Sequence, residues 1–307
     1  MKKLYVCHCD LPEKYLNLLK KTFDVTQRTT EDMPKEDELC DLVKKYDALL
    51  ITIWCPMTKK VLDSIGGKEF VVATTSVGLD HFDKGFFSAE NITVYNCHDA
   101  NYLSVAEHTI AVILALYKKL PLSNKLMFEH KNRDGLGGLP HDLTGQTIGL
   151  IGSGKIARKV IDYAKVFEMK ILCYSIAPEK DLENVVEFCS MEKLLKESDI
   201  VSLHAPLTPQ TKNMLNKENM SLMKSSAFVI NTARLPMIDN VALAELLQEK
   251  KIAGASLDID GFEFEVIDLF KEMDNVILTP HTAGVTVEAW DRMICEVVEP
   301  LAKHHEK

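Results

Sequence analysis

Short runs rich in aliphatic and β-branched residues alternate with amphipathic, helix-like runs along the whole chain. This alternation is typical of parallel α/β architecture, because a crossover helix must return the chain before the next parallel strand begins. The runs predicted as strands are Leu4–Val6, Ala48–Thr52, Val71–Thr74, Thr93–Asn96, Thr147–Ile151, Ile171–Tyr174, Ile200–Leu203, Ala227–Asn231, Ile252–Ser256 and Val276–Leu278. The sequence therefore predicts an α/β protein with parallel sheets.

A long apolar helix and a glycine-rich connector separate these strands into two series. Ser104-x-x-Glu107 has the spacing of a capping box and is predicted to open the helix, and residues 134–140 read as a loop. A chain of 307 residues is long enough for two domains. The last helical run, from about Val287, is too short to be a domain and is expected to pack on one already built.

Composition excludes several classes of partner. The net charge is −9, with no basic patch that would attract nucleic acid. No apolar run approaches the ~18 residues that span a bilayer, so no membrane partner is expected. The eight cysteines are scattered, and Cys7-His8-Cys9 lacks the spacing of a metal or redox motif. We expect no metal site, and a soluble, cytoplasmic protein with reduced thiols.

The most specific local pattern is the glycine turn Gly152-Ser153-Gly154-Lys155-Ile156-Ala157, between a predicted strand and a predicted helix. In a dinucleotide-binding turn the first glycine makes the bend and the second lets a pyrophosphate approach the backbone. A small third residue allows close packing of the helix. Such a pattern alone also occurs in ordinary turns, but the flanking strand and helix favour the dinucleotide interpretation.

The residues after the next strand leave the identity of the dinucleotide open. Ser175 stands where an acidic residue usually binds the adenosine ribose, so the usual barrier to NADP is missing. No arginine follows to bind a 2′-phosphate, and Lys180 is the only cation there. Glu179 or Asp181 is an alternative ligand for the ribose. The predicted cofactor is NAD or NADP.

Polar residues follow three later strands, at Arg234, at Asp258 and Glu263, and at His281. Ligands of open α/β sheets bind at the carboxyl ends of the strands. An arginine, a carboxylate and a histidine that meet there could form an acid–base site with a clamp for a substrate carboxylate.

These motifs resemble those of the D-isomer-specific 2-hydroxyacid dehydrogenases, in the expected order and over nearly the whole chain. The matching stretches are residues 76–83, 104–108, 204–208, 231–234, 257–263 and 279–284. The resemblance implies an NAD(P)-dependent D-2-hydroxyacid dehydrogenase, an oxidoreductase that acts on CH–OH donors. It would transfer a hydride between NAD(P)H and a small 2-keto acid, giving the D-2-hydroxy acid.

The resemblance also implies a role for each matching residue. His281 would be the general acid/base, Glu263 would hydrogen-bond its imidazole, and Arg234 would bind the substrate carboxylate. The backbone of Val77 and Gly78 would complete that site. The residues expected to contact the cofactor are Gly152, Ser153, Gly154, Lys155, Ile156, Ser175, His204, Ala205, Pro206, Thr211, Thr232, Ala233, Asp258 (at the nicotinamide carboxamide), His281, Ala283 and Gly284.

Two stretches depart from the family pattern. Asp260-Gly261-Phe262 replaces the Phe-Glu-Pro that usually precedes the catalytic Glu, and Leu235-Pro236 replaces the Gly-Gly or Gly-Pro after the arginine. Trp54 lies in the loop expected to meet the substrate side chain and would form an apolar wall there, unless it is a core residue. No arginine lies in that loop, which favours glyoxylate, hydroxypyruvate or a short aliphatic keto acid over a phosphorylated substrate.

The fold implied by the resemblance has two Rossmann-like domains with parallel sheets. A dinucleotide-binding domain, 102–281, would be inserted into a flavodoxin-like substrate domain, 1–101 plus 282–307. The protein would be a homodimer, with the helix after Ser104 as hinge and dimer surface.

Two alternative functions remain on this fold. One is a formate- or phosphite-type dehydrogenase, although formate enzymes of the family carry Gln where Glu263 stands. The other is a dinucleotide-sensing, corepressor-like binding protein.

Overall fold

A computed structural model describes residues 1–8, 10–259 and 264–304. The chain forms two compact units. The first unit comprises Met1–Asn101 and Thr286–Lys307, and the second unit, Tyr102–Val285, is inserted between these two segments in the sequence.

The first unit contains a five-stranded parallel sheet in the order β2-β1-β3-β4-β5, which is the flavodoxin-like order. Its strands are β1 (Lys2–Val6), β2 (Phe23–Gln27), β3 (Ala48–Ile51), β4 (Phe70–Thr74) and β5 (Ile92–Asn96). The connecting helices are α1 (Glu13–Leu19), α2 (Glu36–Lys45), α3 (Lys59–Ser64) and α4 (Gly85–Ser88). Every residue of β3 and β4 is buried, as expected for central strands covered by helices on both faces.

The second unit contains a seven-stranded parallel sheet in the order β12-β11-β10-β9-β6-β7-β8. Its strands are β6 (Thr147–Ile151), β7 (Lys170–Tyr174), β8 (Glu187–Phe188), β9 (Ile200–Leu203), β10 (Phe228–Asn231), β11 (Gly254–Asp258) and β12 (Val276–Thr279). Its helices are α5 (Tyr102–Tyr117), α6 (Leu120–Phe128), α7 (Lys155–Val166), α8 (Met191–Glu197), α9 (Lys217–Met220), α10 (Asn240–Gln248) and α11 (Phe264–Phe270). The strand order reverses between β6 and β9, which is where ligands bind in a doubly wound fold.

The last helix, α12 (Val287–Ala302), belongs to the first unit. Its apolar face, including Ile294 and Val297, is fully buried in one core with residues of β1 and α1. An ion pair of 2.5 Å between Lys14 and Asp291 adds a contact at the exposed margin of the same packing.

The predicted α/β class with two parallel sheets is confirmed, and several local predictions are wrong. Helix α5 begins at Tyr102, so Ser104 is its third residue and not its N-cap. Strands β2 and β8 were not predicted, because β2 buries only Phe23 and β8 has two residues. Strand β11 begins two residues later than Ile252, which places Asp258 at its end.

Within the part of the chain that the structure describes, we find no helix with the length and apolar character needed to cross a membrane.

Candidate active site

The candidate residues of the second unit lie along one edge of its sheet. The strand register pairs Ile151 with Leu203, Leu203 with Asn231, and Asn231 with Leu257, so these strands end side by side. Asp258 is likewise paired with Thr279 on β12. The loops that follow these strands therefore leave the sheet at the same carboxyl edge.

The turn after β6 accepts only glycine at its first position. Gly152 has a φ of +107°, a conformation that side chains rarely adopt. A Cβ there would lie 2.8 Å from the carbonyl oxygen of His204. The turn is held by the Gly152 amide, which donates to the Tyr174 carbonyl at 2.8 Å. The backbones of the β6 turn and the His204 loop are thus too close to leave room for a side chain at position 152.

The next glycine faces open space at the start of a helix. Gly154 is the N-cap of α7, no described side chain caps that helix, and a Cβ on Gly154 would meet nothing within 4 Å. The N-terminus of α7, which begins with Lys155 and Ile156, follows this open space, and the dipole of the helix favours an anion there. Ala157 is fully buried, as the predicted close packing of the helix requires. These features fit a dinucleotide pyrophosphate.

Two hydroxyls and an ion-pair cluster lie between the glycine turn with the start of α7 and the segment that follows β7. Ser153 Oγ and Ser175 Oγ are 3.1 Å apart. Arg158, on the first turn of α7, donates to both Asp181 oxygens at 2.6 and 3.0 Å and also to Glu179. Arg158 was not predicted from the sequence, because it precedes Ser175 and lies outside the segment in which a ligand for the ribose or its phosphate is expected. Its position four residues after Gly154, on the first turn of α7, is the sequence feature that could have identified it.

The loop after β9 is held by its own side chains. His204 Nε2 lies 2.9 Å from the buried Ser202 Oγ, and burial lowers the pKa of His204 to about 4, so its ring is neutral near pH 7. The Thr211 hydroxyl donates to the Pro206 carbonyl at 2.7 Å. These contacts fix the Ala205–Pro206 backbone beside the glycine turn.

The loop after β10 presents Arg234. The buried Asn231 side chain closes the loop, because its Oδ1 accepts from the Ala233 amide at 3.0 Å and its Nδ2 donates to the Arg234 carbonyl at 2.9 Å. Arg234 is half-buried, and one guanidinium nitrogen donates to the Ala233 carbonyl at 2.8 Å. The guanidinium is thus oriented at the sheet edge by the loop that carries it.

The loop after β12 holds His281 in an uncommon conformation. His281 has a φ of +54°, the left-handed region, which costs a residue other than glycine about 1–3 kcal/mol. The Asp258 carboxylate binds the chain on both sides of this residue. It accepts hydrogen bonds from Thr279 Oγ1 at 2.5 Å and from the amides of Thr282 and Ala283 at 2.9 and 3.0 Å. Asp258 therefore fixes the backbone of the loop that carries His281. Its predicted contact with the nicotinamide carboxamide stays a prediction.

Helix α5 supports both of these loops from within the second unit. His108 Nε2 lies 3.3 Å from Thr279 Oγ1, and Thr109 Oγ1 lies 3.2 Å from Thr232 Oγ1. Burial lowers the pKa of His108, which favours a neutral ring in this structural role.

The predicted carboxylate partner of His281, Glu263, lies outside the described residues, as do Asp260, Gly261 and Phe262. What the structure brings together at neighbouring strand ends is Arg234, Asp258 and the loop from His281 through Ala283 to Gly284.

The candidate substrate residues of the first unit lie in loops at the carboxyl edge of its own sheet. Ser76 Oγ lies 2.9 Å from Thr74 Oγ1 and donates to the Gly78 carbonyl at 2.9 Å, which shapes the loop after β4. Val77, in that loop, is exposed. Trp54, in the loop after β3, is half-buried, and its amide donates to Thr52 Oγ1 at 3.2 Å. Trp54 is therefore not fully sealed in the core, and its predicted contact with the substrate stays a prediction.

Among the described residues, no group of three or more His, Cys, Asp or Glu side chains could hold a metal ion. Cys9 of the Cys7-His8-Cys9 stretch lies outside those residues, and His8 is buried, with Nε2 3.1 Å from Thr75 Oγ1.

A doubly wound parallel sheet with a phosphate-binding glycine turn at its switch point defines the class of dinucleotide-binding α/β proteins. The family model "D-isomer specific 2-hydroxyacid dehydrogenase, NAD binding domain" matches residues 110–283. The chain belongs to the D-isomer specific 2-hydroxyacid dehydrogenase family.

Individual relatives resemble the chain over nearly its full length. A glyoxylate reductase from Thermofilum pendens is 36% identical over 308 residues, covering 95% of this chain and 88% of the relative. The structure of an Aquifex aeolicus D-lactate dehydrogenase complexed with NAD and lactic acid is similar, with a TM-score of 0.84 and 29% identity, covering 99% of this chain and 95% of that one. An acyclic imino acid reductase in complex with NADPH and D-Arg has a TM-score of 0.86 and 28% identity, covering 99% and 97%.

Proposed function

We propose that this protein is an NAD(P)-dependent dehydrogenase that reduces a small 2-keto acid to the D-2-hydroxy acid and catalyses the reverse reaction. One observation carries the proposal. The same edge of the sheet carries Arg234, the His281 loop that Asp258 holds, and the Gly152–Gly154 turn. A guanidinium, an imidazole and a phosphate site at one edge are what hydride transfer to a keto acid requires.

Each side chain has a defined task in this proposal. Arg234 binds the substrate carboxylate through its planar fork of donors and polarises the neighbouring carbonyl. His281 gives a proton to the carbonyl oxygen in reduction and takes it back in oxidation. Asp258 holds the His281 loop, so the imidazole does not have to be ordered during the reaction. When bound, the reduced nicotinamide supplies the hydride. We assign Glu263 to the imidazole, where its charge would stabilise the protonated form.

We assign the second unit to the cofactor, and the first unit, with Val77, Gly78 and Trp54, to the substrate. Glyoxylate, hydroxypyruvate and short aliphatic keto acids are the proposed substrates. The glyoxylate reductase among the relatives and the D-lactate dehydrogenase among the similar structures support this choice. We further propose a homodimer in the cytoplasm, the latter because the scattered cysteines suit a reducing compartment.

The test is a panel of 2-keto acids assayed with NADH and with NADPH, with wild-type protein and with the His281→Gln and Arg234→Lys variants. We expect one small keto acid to be reduced, and either substitution to lower kcat/KM by about 10²–10⁴-fold, the usual contribution of an acid–base group or a bidentate clamp. The binding of NADH, followed by its fluorescence, should change little.

A matched control is His98→Gln, which removes an exposed imidazole from the first unit and should leave turnover unchanged. Near-normal turnover in His281→Gln or Arg234→Lys contradicts the proposal. Tight dinucleotide binding without turnover of any keto acid would instead favour a dinucleotide-sensing protein.

A further inference from the structure

The adenosine side of the glycine turn carries a feature that the general reaction does not explain. Arg158, on the first turn of α7, is bound by two carboxylates from the segment that follows β7. It makes an ion pair of 2.6 Å with Asp181 and a second ion pair with Glu179. We call Arg158, Glu179 and Asp181 the Arg158 cluster.

Two residues of the cluster, Glu179 and Asp181, belong to the segment that follows β7, and it is at the end of this strand that dinucleotide-binding sheets discriminate between NAD and NADP. That position is the end of the second strand of the fold, where an acidic side chain binds the ribose hydroxyls and repels a 2′-phosphate. Here it is Ser175, whose hydroxyl is 3.1 Å from Ser153 Oγ and also contacts Ala177. A serine carries no charge, so discrimination must come from its surroundings.

The carboxylates of the cluster are charged and accessible. Asp181 and Glu179 side chains are 65% and 46% exposed, whereas Arg158 is 31% exposed. The Arg158 guanidinium lowers the pKa of Asp181, so that this group stays ionised at neutral pH. Arg158 therefore already has its donors directed at two anions of its own chain.

We propose that the Arg158 cluster makes NADH the preferred cofactor over NADPH. This rests on the proposed function, because it concerns the same dinucleotide site. A 2′-phosphate carries roughly two negative charges, which Glu179 and Asp181 would repel. It can bind Arg158 only if the charge-assisted hydrogen bonds between Arg158 and these two carboxylates are broken. The hydroxyl of NADH carries no charge, and it finds carboxylate and serine oxygens as acceptors.

The proposal predicts a switch when the carboxylates are neutralised. In Glu179→Gln/Asp181→Asn, Arg158 is released and becomes a ligand for the 2′-phosphate. We expect wild-type protein to bind NADH at least about tenfold more tightly than NADPH, and the double variant to bind NADPH about tenfold more tightly than wild type does. Adding Arg158→Gln to the double variant should return NADPH binding to near the wild-type value.

The measurements are dissociation constants of NADH and NADPH from cofactor fluorescence, and of 5′-AMP and 2′,5′-ADP from calorimetry. The second pair differs only in the 2′-phosphate and needs no turnover. Glu183→Gln is the matched control, since it removes an exposed charge from the same segment without touching Arg158, and it should leave the preference unchanged. The melting temperature of each variant verifies that it is folded, and Lys180 is retained throughout.

Wild-type protein that binds NADPH as tightly as NADH overturns the proposal. So does a double variant with unchanged NADPH affinity, or a gain that survives Arg158→Gln. Absence of keto-acid turnover with the expected binding pattern contradicts the proposed reaction but supports the cofactor preference. Failure to bind either dinucleotide overturns both.

Discussion

At the scale of single residues, the two glycines of the β6–α7 turn have different surroundings. Substitutions at these two positions should therefore distinguish an effect on folding from an effect on ligand binding. A side chain at Gly152 would strike the backbone of the His204 loop at a φ of +107°, whereas one at Gly154 would meet nothing of the protein. The fold thus requires the first glycine, whereas nothing in the fold requires the second, which we assign to the proposed pyrophosphate.

We therefore predict different outcomes for the two alanine variants. Gly152→Ala should lower the free energy of unfolding by about 1–3 kcal/mol and also weaken NADH binding, because the backbone must shift. Gly154→Ala should keep the wild-type melting temperature but lose most of its NADH affinity. Thermal denaturation and fluorescence titration measure the two effects. A Gly154→Ala protein with normal NADH affinity would show that no phosphate approaches this turn.

The half-buried His204 makes the stability of the protein depend on pH. Its pKa falls from 6.5 in the unfolded chain to about 4 in the folded protein. Between these values the unfolded state binds more protons, so the free energy of unfolding should decrease as the pH falls from about 6.5 to 4, by up to about 3 kcal/mol. Above pH 7 this contribution is constant.

Urea unfolding of wild type and His204→Gln at pH 7 and pH 4.5 tests this effect. The variant should lose less stability on acidification, because glutamine does not titrate and can still contact Ser202. Burial also lowers the pKa of His8 and His108, so some acid sensitivity should remain. Equal pH dependence in the two proteins would show that His204 is not the group responsible.

The sequence predicted residues whose role follows from a local pattern, and it missed those whose role depends on a distant partner. The glycine turn was recognisable because a strand, a bend and a helix are contiguous in the chain. Arg158 was not, because its carboxylates lie 21 and 23 residues away and the turn after β7 decides whether they meet. Asp258 was recognised as a polar residue at a strand end, but its hydrogen bonds to the His281 loop depend on the pairing of β11 with β12.

At the scale of secondary structure elements, helix α12 is what completes the core of the first unit. Ile294 is fully buried in it, whereas Val287, on the first turn of the same helix, is 84% exposed. Ile294→Ala should cost about 2–5 kcal/mol of unfolding free energy, because a cavity forms among side chains of the sheet and α1.

Val287→Ala is the matched control and should change stability by less than about 0.5 kcal/mol. Chemical denaturation of both variants provides the comparison. Equal, small effects would mean that α12 is not packed as described.

Elements with strong periodicity were predicted, and elements defined by pairing alone were not. The central strands β3 and β4 are continuous apolar runs because both of their faces are buried. Strand β2 alternates with polar residues at the sheet edge, and β8 consists of two residues that pair with β7. Nothing in such short or mixed runs distinguishes a strand from a loop until a neighbouring strand provides hydrogen bonds.

At the scale of the whole molecule, α6 is a second candidate, besides the predicted α5, for the surface that would join two copies of the chain. Helix α5, predicted as the dimer surface, has most of its apolar residues buried within the second unit. Exposed apolar side chains occur instead on α6, where Phe128 is 79% exposed and Met127 and Leu120 are exposed as well. Clustered exposed apolar side chains mark interaction surfaces.

We predict that Phe128→Asp converts the proposed homodimer to a monomer, because a carboxylate would be buried without a partner at the interface. Light scattering after gel filtration measures the mass. Val166→Asp replaces an equally exposed apolar residue on α7 and should leave the mass unchanged. A wild-type mass equal to that of one chain would refute the dimer.

The insertion of the second unit between β5 and α12 also constrains the order in which the polypeptide acquires structure during synthesis. When residues 1–101 have left the ribosome, the helix that must cover Leu4, Val6 and Val71 has not yet been translated. The nascent chain therefore carries an uncovered apolar sheet face throughout translation of the 102–285 segment, which is itself free to fold. A chaperone that binds apolar segments could bind this sheet face during that time. It would be released when α12 is translated and covers the face.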